Sequence, residues 1–129
     1  FSDVLLSMRD GIQRLQRGFD EYLGESYEDA TETFFRAAVE FEDVSETLAD
    51  FDPIDALETH VEAFACLSDA LARGSDILGE AATAGDLDIP ERQTDKETEA
   101  REAFESCEST TERVEVVPAF FEELPDERT

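Results

Sequence analysis

The chain has 129 residues, 40% of them hydrophobic and ten of them Phe, and it carries 35 Asp and Glu against 10 Lys and Arg, a net charge of −25. That length suits one domain over residues 1–129, with a core large enough to fold without a metal or disulfide staple. The apolar content excludes a typical disordered acidic tail, and in an ordinary protein the charge balance would argue against nucleic acid as a partner, an argument that weakens where acidity is generic.

Four segments carry the three-and-four spacing of an amphipathic helix, and none alternates as a strand. The first runs from about Ser2 to Leu23, with a stripe of Val4, Leu5, Met8, Ile12, Leu15, Phe19, Tyr22 and Leu23. Ser2 can cap its start, and Gly24 suits the residue just past its end. The second runs from about Tyr27 to Ala49, with Ala30, Phe34, Ala37, Ala38, Phe41, Val44 and Leu48 on one side. Ser26 followed by Asp29 resembles a capping box.

Asp52 as cap and Pro53 at the first helical position restart the chain. The third segment covers about 53–78, reaching toward Ala84, with Ile54, Leu57, Val61, Phe64, Leu67, Leu71, Ile77 and Leu78. Gly79 to Pro90 is the longest connection expected, a mobile loop. The fourth segment starts at Pro90 or, better, at a Thr94–Glu97 capping box, and covers about 95–117. Pro118 then breaks or kinks it, and a short helical tail over 118–124 carries Phe120, Phe121 and Leu124.

Four helices of similar length with short links predict an all-α fold: an antiparallel up-down-up-down four-helix bundle with a C-terminal helical tail after Pro118. Acid-to-Arg pairs four residues apart (Asp10–Arg14, Glu32–Arg36, Asp69–Arg73, Glu97–Arg101) would support the exposed faces. The stretch Tyr27–Val39 is similar to the second helix of a tetratricopeptide repeat at Ala30, Phe34 and Ala37. No 34-residue repeat follows and the helices are longer than that family's, so the resemblance implies nothing further.

One Lys (Lys96) against nine Arg, under so many acids, is the composition of proteins from salt-in halophilic archaea. Self-repulsion at this charge destabilises a compact chain in dilute buffer; at about 1 M salt the Debye length is only ~3 Å and the repulsion is screened. An acidic chaperone-like or DNA-mimicking protein would instead show blocks of like charge, whereas these acids are spread along amphipathic helices. No basic stripe is present: Arg9, Arg14 and Arg17 sit beside Asp10, Asp20 and Glu21. No apolar run approaches the ~20 residues of a membrane span, and no secretory signal opens the chain. The cytoplasm is the expected compartment. The first residue is Phe1, which reads as a fragment or a processed form.

The residues that could carry chemistry are few. His60 has Glu58 and Glu62 two residues away on either side, off the three-or-four spacing a helical metal site needs, and Leu57 occupies the place of the Glu in a Glu-x-x-His pair. Cys66 and Cys107 have no C-x-x-C spacing; two packed thiols are the expectation, with a disulfide as the alternative because the third and fourth helices bring them to similar heights. Cys66 stands too far along the helix from His60 to form a catalytic pair. Glu25-x-x-Glu28 and Glu40-x-x-Asp43 resemble the paired acidic motifs of all-α nucleoside triphosphate pyrophosphatases, which hold Mg²⁺ on bundle carboxylates. The resemblance implies a metal-dependent nucleotide hydrolase with Glu25, Glu28, Glu40 and Asp43 as ligands. A third reading is a regulatory domain with a small-ligand pocket between helices.

The reading preferred from the sequence is a non-enzymatic helical interaction or regulatory module, without cofactor, that meets a protein partner or a second copy. Its contact surface is expected from aromatics outside the stripes: Phe35, Phe51, Phe120, Phe121 and Leu124. The competing possibility is that the tail folds back and covers one end of the bundle.

Overall fold

The computed structural model describes residues 2–50 and 55–125, with the backbone alone for 55–60. Phe51 and the side chain of His60 lie outside the described residues. The described chain is all-helical: α1 (Ser2–Leu23), α2 (Tyr27–Ala49), α3 (Asp55–Asp86), α4 (Pro90–Glu105), α5 (Glu108–Arg113) and α6 (Val116–Glu123). No helix among the described residues is long and apolar enough to cross a membrane.

α1 and α2 coincide with the periodic segments because each has an unbroken apolar stripe and a clear stop. The stop after α1 is not the glycine itself. Glu25 takes the left-handed conformation at φ 63°, and the Ser26 N–H closes the turn by donating to the Glu21 carbonyl at 2.8 Å. Ser26 makes no side-chain cap.

The later helices depart from expectation. α3 does not stop at Leu78; it runs through Gly79 to Asp86, and the expected mobile loop shrinks to Leu87–Ile89. Tight packing explains the continuation: a Cβ on Gly79 would stand 2.5 Å from the Phe35 ring, and one on Gly74 would stand 2.4 Å from Phe104. These glycines admit rings against the α3 backbone, which offsets their poor helix propensity of ~1 kcal/mol. α4 begins at Pro90, where the proline is tolerated in the first turn. The helix expected over 95–117 is in fact two, α4 and α5, with the start of α6. Pro118 does not end a helix; it sits in the first turn of α6, where its missing N–H has no intrahelical acceptor to lose.

The helices pack as a bundle around one core. Gly11 of α1 meets the Phe41 ring and Gly18 meets Phe34. On the other side of α2, Phe35 lies over Gly79 and the Ser45 and Ser68 hydroxyls are 2.7 Å apart. α4 lies along α3 through Phe104 over Gly74 and a Lys96–Glu80 ion pair at 3.0 Å. α6 closes the remaining side. Phe120 stacks on Phe19 with centroids 4.2 Å apart, and Phe121 meets Phe104 edge-on.

Cys66 and Cys107 are joined in a disulfide, with Cα atoms 5.9 Å apart. This corrects the expectation of two thiols. The bridge ties α3 to the residue that precedes α5, the point where the chain turns back toward the core.

Candidate interaction surface

The expected contact residues separate into two groups. Phe120 and Phe121 are 3% and 6% exposed, and Leu124 packs against the same core. Phe120 and Phe121 are thus core residues, and Leu124 is partly buried beside them. The cause is the break between α4 and α6, which redirects the chain across Phe19, Tyr22 and Phe104, where three rings meet the tail edge-on or stacked. Arg101 also covers Phe121, its guanidinium 5.2 Å from the ring centroid.

Phe35 remains at the surface, 37% exposed, and Val39 one turn further along α2 is 55% exposed. Their placement follows from the helix period. Phe34, Ala37, Ala38 and Phe41 are buried, so positions 35 and 39 fall together on the outward face. Val39 was not expected as a contact residue. Its signal was the (i, i+4) spacing from Phe35 outside the buried stripe.

Beyond this pair, along the α2–α3 seam, a groove of about 460 Å³ is lined by Glu42, Ser45, Glu46, Asp69, Ala72, Arg73 and Asp76. Partial burial and then the neighbouring Glu80 raise the Asp76 carboxyl above its ordinary value. On the opposite side of α2 a groove of about 540 Å³ is lined in part by Asp3, Asp10, Glu40 and Asp43 with Arg14 and Arg17. There Arg14 Nε and Glu40 Oε1 form an ion pair at 2.6 Å.

The four carboxylates of the pyrophosphatase resemblance do not share a site. Glu25 is in the α1–α2 turn, and Glu28 and Glu40 are twelve residues apart within one helix, about 18 Å along its axis at 1.5 Å per residue. Glu40 is engaged by Arg14 instead. Among the described residues, no three His, Cys, Asp or Glu side chains gather as a metal site.

A polar cluster that sequence reasoning missed lies inside the bundle. The Tyr22 hydroxyl donates to Glu97 Oε2 at 2.5 Å, and Gln93 Nε2 donates to the same hydroxyl at 2.8 Å. All three side chains are buried. Gln93, Glu97, Ala100 and Phe104 follow one another at spacings of four, three and four on the inner side of α4. That was the available sign that Glu97 points inward, away from the expected pairing with Arg101. The cluster binds α4 to α1 through buried hydrogen bonds.

Comparison with family models, with curated proteins and with solved structures finds no match to this chain.

Proposed function

We propose that this chain is a non-enzymatic helical interaction or regulatory module of a halophilic archaeon, and that its contact face is the outer side of α2 around Phe35 and Val39. In this reading the four long helices form an up-down-up-down scaffold, with α5 and α6 as a clasp at its end. The observation that carries it is the contrast in burial: the tail aromatics are covered, whereas Phe35 and Val39 stay 37% and 55% exposed, one turn apart. A chain that is otherwise so charged gains nothing in solvent from two adjacent apolar side chains, and high salt strengthens apolar contacts while it screens exposed charge.

The cytoplasm remains the proposed compartment, against one contrary feature. A bridge such as Cys66–Cys107 is rare where thiols are kept reduced, outside hyperthermophiles.

The test pairs native protein with a Phe35→Ser/Val39→Ser variant in about 2–3 M KCl, a range in which exposed charge is screened. Affinity capture from a native high-salt lysate and size-exclusion chromatography with light scattering are read side by side. A partner or oligomer held by native protein and lost by the helical variant supports the reading. Identical behaviour of the two proteins sinks it.

A further inference from the structure

We propose that the α2–α3 seam docks a cationic amphipathic helix from another protein, its apolar side on Phe35 and Val39 and its Arg or Lys side chains in the acidic groove that continues from them. The proposal rests on the reading of α2 as the contact face and names the chemistry of what covers it.

The first argument is continuity. Phe35 lies over Gly79, and Ser45 meets Ser68 further along the same seam. The groove begins between those two contacts, with Asp76 near the level of Val39, and reaches Asp69 and Glu46. From Phe35 to Glu46 is about 16 Å at 1.5 Å per residue, three turns of helix. An occupant of that length meets apolar surface at one end and carboxylates along the rest, the pattern of a helix laid in a groove.

The second argument is charge, and it concerns the difference between grooves, since acids are abundant everywhere on this chain. A small groove beside α1 and α2 sets Glu21, Asp29 and Glu32 against Arg14, Arg17 and Arg36, three against three. The larger α1–α2 groove sets four carboxylates against Arg14 and Arg17. The α2–α3 groove sets Glu42, Glu46, Asp69 and Asp76 against Arg73 alone. Three arginines, Arg14, Arg17 and Arg36, thus serve the α1 side of α2, and of these grooves the α3 side keeps the greatest excess of negative charge. A second copy of a chain with net charge −25 would add like charge to that groove; a cationic helix removes the repulsion and covers the apolar pair.

The test uses the whole chain at the lowest KCl concentration that preserves full helicity, with two labelled synthetic helical peptides of about 18 residues sharing one Leu stripe. One carries Arg beside the stripe and the other Glu. The Arg peptide is expected to bind at least ten-fold more tightly than the Glu peptide. Phe35→Ser/Val39→Ser should weaken it at least ten-fold, and Glu46→Gln/Asp76→Asn several-fold with a shallower dependence on salt. Circular dichroism confirms that each variant keeps its helices. If the double serine variant loses helicity, Val39→Ser alone is used, with protection of α2 and α3 amides by the peptide as the readout. An Arg peptide that fails to bind, or that binds the serine variant as well as native protein, overturns the proposal. A dimer that Val39→Ser dissociates also overturns it but leaves α2 as the contact face. Loss of both peptide binding and any Val39-dependent association removes both readings.

Discussion

α2 is packed twice, and its two sides differ. Toward α1 it presents Phe34 and Phe41, fully buried, seated where Gly18 and Gly11 leave no side chain, with arginines among the surrounding acids. Toward α3 it presents a half-covered Phe35, a serine pair and a groove with four carboxylates and one arginine. The first seam seats its two rings fully and is eased by charge, with a groove of about 540 Å³ beside them. The second is held by shape at points and left electrostatically open between them. The difference shows that packing and charge balance are separate properties of a seam, and that one helix can have both on one side and only the former on the other.

Removal of salt is the strongest way to probe that difference. With a net charge of −25, helicity should be lost at about 20 mM KCl and regained as the Debye length falls toward ~3 Å near 1 M. Amide exchange during the descent should open the α2–α3 seam before α1–α2. Full helicity at the low salt end, by far-ultraviolet circular dichroism, would contradict the salt-adapted reading. Next in size, Phe34→Ala should cost about 3–5 kcal/mol in denaturant unfolding, because it removes a wholly buried ring and leaves a cavity against Gly18. Phe35→Ala should cost about 1 kcal/mol, since much of that ring already meets water. Equal costs for the two would erase the distinction between the seams.

The smallest effect carries a definite sign. The Asp76 carboxyl is raised above 3.8 in the folded chain, so the native state holds that proton more readily than the unfolded state. Its ionised form therefore costs stability at neutral pH, and the cost disappears once pH falls below 3.8. Asp76→Asn should stabilise the chain slightly at pH 7 and make no difference near pH 3. A destabilised variant at pH 7, measured by chemical unfolding, would mean that the carboxylate has a favourable partner.

The sequence made α1 and α2 legible because their stripes end at real stops. It misled in α3 because Gly79 reads as a breaker unless one knows that Phe35, far away in the chain, lies across it. The expected long fourth helix hid two breaks, since Cys107 and Val114 continue the apolar spacing while their backbones leave the helix. Tail burial was foreseen as one of two outcomes, and spacing alone could not decide where a redirected chain would land. Of the candidate surface, Phe35 was visible as an aromatic off the stripe. Val39 and the groove were not, because groove carboxylates from two helices look like any other acids in a chain with 35 of them.

The sulfur bridge also changes the topology of the covalent chain. Residues 66 to 107 form a closed ring, and within it lies the turn with Leu87 and Ile89 at the surface, 63% and 42% exposed. A protease that nicks this turn leaves a molecule of unchanged mass apart from one added water. Its two pieces migrate separately on a denaturing gel once a thiol reagent has opened the ring.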